Sequence, residues 1–479
     1  MSLLRRPTLA RALTGAVAMT LPLALSAQIL QKAPGAPTML TPAQQDARAI
    51  YKEMVEINTV DSVGSVTKAA QAVAARFKAA GFPAGDIHLV GPASAPAKQN
   101  LIVRYRGKGR GKPILLLAHL DVVAALRSDW PRDPFAMTEQ DGYFLGRGVA
   151  DDKSMAAILT ANVLRYKKEG WVPERDLILA LTADEEGGGD NGVSWLIANH
   201  RDLIDAEYAI NEGGGGTLQN DKPLFHSIQA AEKVYNDFTL TVLNTGGHSS
   251  VPRKDNAIYS LANALARIEK YTFPVELNDV TRPFFEQTAK VEMPSLATAM
   301  KALVANPTDT AAARIISTDP RYASMLRTTC VATLLDGGHA NNALPQRAGA
   351  NINCRIFPGV EAKAVQDELQ QTVGGDVSVE PVAEARPSPP SPLRPDVIKA
   401  VTDSIRKRHP GVELTPQMST GATDGLFFRS VGIPVYGVSG AWIISPDDER
   451  AHGKDERIPV KSFNGELDHW HDIVKALAG

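Results

Sequence analysis

Two hydrophobic rhythms run along the chain. From Thr41 onward, short fully apolar runs alternate with segments whose apolar residues recur every three or four positions. "TPAQQDARAIYKEMVEI" predicts the first helix, with Thr41 at the N-cap, Pro42 in the first turn and Ala47, Ile50, Met54 and Ile57 on one stripe. "TKAAQAVAARFKAAGF" predicts a second, ended by Gly81. "NLIVRYRG", "KPILLLAHLD" and "RDLILALTADEE" read as strands, with the helix "MAAILTANVLRYKKEG" before the last of them. "GVSWLIANH" is helical and "AEYAINEGG" begins as a short strand. Apolar strands separated by helices predict an α/β fold with a mostly parallel sheet covered on both faces.

The rhythm changes near residue 231. "KVYNDFTLTVLN" alternates like a half-exposed strand, and "NAIYSLANALARIEKY" is an amphipathic helix. Strands "TTCVATLLDGG" and "AGANINCRIFPG", helix "EAKAVQDELQQTVGG" and strand "VSVEPV" follow. This strand–helix–strand–strand–helix–strand order predicts an α+β sandwich. Residues 272–325 hold several prolines and predict extended loop with short helices. After the Pro-rich joint "EARPSPPSPLRP" the α/β rhythm resumes with "DVIKAVTDSIRKRH" and "GIPVYGVSG" and closes on a helix near the C-terminus. The sequence therefore predicts an α/β domain in two parts, 41–230 and 385–479, with an α+β sandwich, 231–384, inserted between them.

The first forty residues follow a different logic. Arg5, Arg6 and Arg11 precede the uncharged run "ALTGAVAMTLPLALSA", with small residues at Ser26 and Ala27. This predicts a secretory signal peptide over residues 1–27, a linker over 28–40, and a periplasmic or secreted protein. The alternative is an uncleaved anchor, but the run is shorter than the roughly 20 residues a spanning helix needs. No stable membrane span is expected after cleavage.

Composition narrows the function. A chain of 479 residues with 44% hydrophobic and 22% charged residues is typical of soluble globular proteins, and too long for one ordinary core. A formal net charge of −2 argues against nucleic-acid binding. The two cysteines, Cys330 and Cys354, cannot make a cysteine metal site alone. They are open to a disulfide across two predicted strands or to a role as small buried hydrophobes.

The chemistry gathers where the predicted sheet strands end. "ILLLA" runs into His119 and Asp121, and "GRGVADDKS" places Asp151 before a helix. "LILAL" leads to Glu185 and Glu186, and "YAI" to Asn211 and Glu212. Ligands bind open α/β sheets at the carboxyl ends of strands, so these side chains should converge. Each has an ordinary alternative: a polar loop histidine, or an aspartate N-cap at position 151. At successive strand ends they form an imidazole–carboxylate set suited to zinc, with cobalt or manganese as substitutes.

"AHLDVV", "WPRDPF", "GRGVADDKS", "TADEEGGG", "NEGG", "GGHSS", "NALP", "GATDG" and "AHGKDERI" occur in this order from about residue 41 to the C-terminus. The series resembles the motifs of the M20 metallopeptidases, and the "NEGG" and "DEEGGG" forms are nearer to the carboxypeptidase S branch. The resemblance implies a dinuclear zinc site with two ions per subunit. Asp151 corresponds to the bridging carboxylate, His119 and Glu212 to the ligands of one ion, and Glu186 and His452 to those of the other. "GRG" selects Asp151 and not Asp152. Glu185 corresponds to the general base. Asp121, two residues past His119, is placed to accept its second ring N–H and fix its tautomer. His248 corresponds to a histidine that reaches a neighbouring subunit's active site, which implies a homodimer through the inserted lid or dimerisation domain. Asn342, Arg355 and Gly421 correspond to positions that hold a substrate carboxylate, and Arg suits that grip.

The resemblance implies a hydrolase of an amide bond beside a free carboxylate. A carboxypeptidase acting on peptides, an N-acyl-amino-acid hydrolase and a dipeptidase all satisfy the motifs. A non-catalytic periplasmic binding protein is disfavoured by the presence of Glu185 together with five candidate ligands.

Overall fold

The computed structural model describes residues 39–187 and 189–479. The expected signal peptide and nearly all of the expected linker lie outside them. No helix among the described residues is long and apolar enough to cross a membrane.

The first helix, Pro42–Glu56, starts as its sequence predicts. Thr41 accepts from the Gln44 amide while the Gln44 side chain accepts from the Thr41 amide, a reciprocal cap. The strands it precedes build one large mixed sheet. Its order is Ile87–Val90, Asn100–Tyr105, Leu177–Thr182, Ile114–His119, Tyr208–Asn211, Val435–Gly437, Lys222–Glu232, Gly215–Gln219 and Trp442–Ile444, and Leu414–Ser419 also pairs with Lys222–Glu232. The central pairs that join Leu177–Thr182, Ile114–His119, Tyr208–Asn211 and Val435–Gly437 are parallel. These strands are buried along their length and read as the unbroken apolar runs of the sequence. The buried helix Lys153–Glu169 and the C-terminal helix Val460–Ala478 pack against this sheet in its main core.

A second sheet is wholly antiparallel, in the order Thr329–Gly337, Arg347–Ile356, Val234–Leu243, Ser378–Pro381. Helices Ala257–Lys270 and Ala362–Val373 cover one face, burying Leu261, Val365 and Leu369 against Phe238, Leu240 and Ile352. The alternate residues Tyr235, Asp237, Asn351, Asn353 and Arg355 point to the opposite, helix-free face. Cys330 and Cys354 are register partners on adjacent strands and form a disulfide.

Residues 272–325 contain more helix than their prolines suggest: Thr281–Thr288, Pro294–Ala305, Thr310–Ile316 and Pro320–Met325. Pro294 and Pro320 stand in first turns, where a missing N–H costs nothing. Phe284, Phe285, Met300 and Ile316 bury in the core of the large sheet, not in that of the small one.

Candidate active site

Parallel register brings the chemistry together. His119 lies directly opposite Thr182, so the loop carrying Glu185 and Glu186 leaves the sheet beside the histidine. Nε2 of His119 is 3.0 Å from Oδ1 of Asp151 and 3.9 Å from Oε1 of Glu212. Nε2 of His452 is 3.2 Å from Oδ2 of the same Asp151 and 2.8 Å from Oε1 of Glu186. One carboxylate thus stands between two imidazoles, with a second acid beside each.

The loop Thr182–Gly192 is held from several sides. Asp121 accepts the amides of Glu185 and Glu186, one on each carboxylate oxygen, at 3.2 and 2.9 Å. Asp121 is expected to take the second ring N–H of His119. Nδ1 of His119 faces the backbone carbonyl of Asp121 at 3.1 Å, with the nearer carboxylate oxygen at 3.6 Å. The competing amides of the acidic loop take that carboxylate. Asp184 adopts a left-handed backbone (φ 61°), accepts the Asp190 amide, and meets Nζ of Lys98 at 3.0 Å. A Cβ on Gly187 would lie 2.4 Å from Oδ1 of Asp184, and one on Gly192 would lie 1.9 Å from Oδ1 of Asn100. Glycine at these two positions is therefore a packing requirement of the loop.

Both aspartates of "GRGVADDKS" lie at the cluster. Asp152, not Asp151, occupies the N-cap of helix Lys153–Glu169, and its side chain makes no capping bond. Asp152 also groups with His119 and Glu212 as donors close enough to share one ion, as do His119, Asp151 and Glu186. Its Oδ2 is buried without a hydrogen-bond partner.

Glu456 and Asp424 carry local architecture that sequence spacing did not reveal. Glu456 pairs with Arg147 at 2.7 Å and accepts the amides of Gly148, Ala150 and Asp151 at 3.0, 2.8 and 3.1 Å. Asp424, in "GATDG", accepts from Thr182 Oγ1 at 2.9 Å and Asn191 Nδ2 at 2.7 Å. Only their place inside the "AHGKDERI" and "GATDG" motifs could have drawn attention to them.

The electrostatics show crowding by one sign. Burial opposes a charge on His119, but contacts with Asp121 and Asp151 outweigh it and hold the imidazole well above its ordinary pKa. Burial works against ionised Asp151 too, yet His119 and His452 keep it below the usual carboxylate range. Burial, with repulsion from Glu212, Asp424 and Glu186, pushes Glu185 up to about 10. Burial and the neighbouring Asp151 raise both Glu186 and Glu212. Among the described residues none of Asp151, Asp152, Glu185, Glu186 or Glu212 pairs with a lysine or arginine; their only ion-pair partners are His119 and His452. Such a donor set, hard oxygens with two imidazoles and an orphan buried carboxylate oxygen, fits divalent cations, which would reverse the local electrostatics.

The other expected residues lie elsewhere. His248 and Asn342 are brought together at the small two-stranded antiparallel sheet of Gly247–His248 and Ala343–Leu344, where the Ser249 amide donates to the Asn342 carbonyl at 3.0 Å. Both are exposed, and the His248 ring bonds only its neighbour Ser250. Arg355 is half-buried on the second sheet with its guanidinium over the Tyr235 ring at 4.8 Å. Gly421 is exposed, its amide donating to Ser419 Oγ at 3.1 Å. A cavity of about 570 Å³ opens beside the strand that follows Glu212, lined by Gly214, Phe284, Tyr322, Met325, Ser439 and Ser445 among others. Neither this cavity nor a larger one of about 700 Å³ is lined by any of the expected site residues.

Comparison with known proteins matches this geometry to a family. Residues 115–476 match the model of "Peptidase family M20/M25/M40". The chain is 28% identical over 392 residues to probable carboxypeptidase S-like 2 of Dictyostelium discoideum, covering 79% of this chain and 74% of the relative. It is 28% identical over 377 residues to the human N-fatty-acyl-amino acid synthase/hydrolase PM20D1, covering 76% and 74%. Its fold is like that of the M20 family metallo-carboxypeptidase Sso-CP2 from Sulfolobus solfataricus, with a TM-score of 0.65 at 19% identity, over 90% of this chain and 99% of that one. The strand-end acids and imidazoles that converge here lie within the matched segment, and the chain is a hydrolase that belongs to peptidase family M20/M25/M40.

Proposed function

We propose that the protein is an exported two-metal hydrolase of an amide bond next to a free carboxylate, acting on peptides from the C-terminus or on N-acyl amino acids. The observation that carries this reading is Asp151 held between His119 and His452, with Glu186 and Glu212 alongside. Asp151 would bridge two zinc ions, His119 and Glu212 would hold one, and Glu186 and His452 the other. Bound there, the two ions acidify water and polarise the amide carbonyl.

The chain's own residues do the rest. Glu185, beside the cluster and bound to no lysine or arginine, takes a proton from the attacking water and returns it to the leaving amine. Asp121 fixes the backbone of both Glu185 and Glu186, so base and ligand keep their spacing. Arg355, Asn342 and Gly421 receive the substrate carboxylate. Names of the relatives support both substrate types: carboxypeptidase S-like on one side, N-fatty-acyl-amino acid synthase/hydrolase on the other.

The protein acts as a homodimer in this reading. Strand Thr329–Gly337 is the outer strand of the second sheet and leaves Val331, Leu334 and Leu335 58%, 70% and 71% exposed. An unpaired apolar edge is a template for a second copy, and His248 and Asn342 at the small two-stranded sheet would reach that copy's site. The disulfide Cys330–Cys354 suits an oxidising compartment, in keeping with export. Metal analysis of the reconstituted protein tests the site: two ions per chain are expected, and fewer than about one would sink the dinuclear reading.

A further inference from the structure

Lys98 stands near the end of a short loop, residues 91–99, between strands Ile87–Val90 and Asn100–Tyr105. Thr67, in the first turn of helix Val66–Ala79, pins that loop. The Thr67 amide donates to the Ala97 carbonyl at 3.0 Å. Its Oγ1 donates to the Pro96 carbonyl at 2.7 Å and accepts the Gln99 amide at 3.0 Å. The lysine therefore leaves a backbone that is held on both sides. Its side chain is 16% exposed, and Nζ meets three carboxylates: Asp61 at 2.5 Å, Asp184 at 3.0 Å and Asp190 at 3.4 Å.

The three partners are not equivalent. The side chains of Asp61 and Asp190 are 54% and 44% exposed, so water solvates each of them, whereas that of Asp184 is 1% exposed. A buried carboxylate is costly without a counter-charge, and the ammonium matters most to Asp184. Burial opposes the charge on Lys98 as well, but contacts with Asp61 and Asp184 outweigh it and hold the ammonium above its ordinary pKa.

Asp184 is the hub of the acidic loop. It directly precedes Glu185 and has the left-handed backbone at that point. Its Oδ2 accepts the Asp190 amide from the far side of the turn, and its Oδ1 faces Lys98. Gly187 passes so close that a Cβ there would strike the same Oδ1. The chain that carries Glu185 and Glu186 is thus folded around one buried carboxylate, and the ammonium balances it. We infer that Lys98 is a positioning residue of the hydrolase, which through Asp184 fixes the turn that presents Glu185 and Glu186. This rests on the reading of Glu185 as the base and Glu186 as a metal ligand; Lys98 itself touches neither substrate nor metal.

The test compares the kinetics of metal-loaded variants and, separately, their zinc affinity by chelator competition. Lys98→Met should lower kcat about thirtyfold with KM within about twofold, as expected for a displaced base. It should also weaken zinc binding about tenfold, as loss of support behind a ligand does. Lys98→Arg keeps the charge and should restore most of both. Asp61→Asn, at an exposed partner, should leave kcat within about twofold of wild type. Adding Asp184→Asn to Lys98→Met should recover part of kcat, to about tenfold below wild type, because an amide needs no counter-ion. A double variant whose loss is the product of the two single losses would overturn the pairing. Wild-type kcat and zinc affinity in Lys98→Met, or in the double variant where the single one does not fold, would remove Lys98 from positioning while the amide-hydrolase reading stands. Wild-type turnover in Glu185→Gln would instead end the reading of the base, and this inference with it.

Discussion

Arg147 and Glu456 form a 2.7 Å ion pair that is buried on both sides. The pair joins the loop that carries Asp151 to the loop that carries His452, since Arg147 also donates to the His452 carbonyl at 3.2 Å and Glu456 accepts the Asp151 amide. His452, at a left-handed φ of 63°, is presented by this clamp and not by a regular element. Glu456→Gln should leave the arginine buried without its counter-charge and cost roughly 3 kcal/mol or more of stability. It should also weaken metal retention. Urea unfolding and metal content check both; a variant with wild-type values in each would show the clamp to be dispensable.

Glu185 and Glu186 are neighbours with different assigned tasks, and substitution should separate them. Glu185→Gln is expected to keep its metal and lose roughly 10²–10⁴-fold in kcat. Glu186→Gln is expected to lose metal as well as activity. Near-wild-type turnover in Glu185→Gln would remove it as the base.

The outer strand of the second sheet offers a test of assembly. Leu335→Glu places a charge on a residue that is 71% exposed and touches no core. It should leave the folded chain's stability within about 0.5 kcal/mol while shifting sedimentation from dimer to monomer. If His248 acts across the dimer, activity falls with dissociation. A fully active monomer would end the in-trans role.

Stability should depend on pH through a buried histidine remote from the acidic cluster. His226 packs beside Trp442 and His469, and burial pulls its pKa down to about 3. Above the unfolded value near 6.5 neither state holds the proton, and stability is complete. Below it the unfolded chain binds a proton that the folded chain refuses, so stability falls as pH drops from about 6.5 towards 3, by about 1.4 kcal/mol per unit once the unfolded histidine is charged. His469, lowered by burial in the same sense, adds to the slope. Subtracting the urea stabilities of His226→Gln from wild type isolates the contribution; a flat difference between pH 7 and 5 would refute it.

Much of this protein is local and could be read from residue order. Unbroken apolar runs predict buried central strands because such strands must be apolar on both faces. His119, Asp151, Glu186 and Glu212 then fall at strand ends or helix starts, and parallel pairing leaves them one place to meet. Residues 272–325 do hold short helices, but their bounds were not legible from Pro294 and Pro320, since a helix start and a loop share that residue.

Other features exist only in three dimensions. His452 reaches Glu186 across 266 residues of chain, with no periodicity to announce it. Asp121 meets the His119 imidazole with its backbone carbonyl and the Glu185 and Glu186 amides with its carboxylate, a division of acceptors that depends on tenths of an ångström. Lys233 is an unremarkable cation in the sequence. Burial pulls its ammonium down to about 7, and desolvation is a property of the surroundings that no residue carries by itself. Sequence determined which groups were available and which strands would carry them. Tertiary packing decided which of those groups face each other, because contact and dielectric follow from long-range pairing.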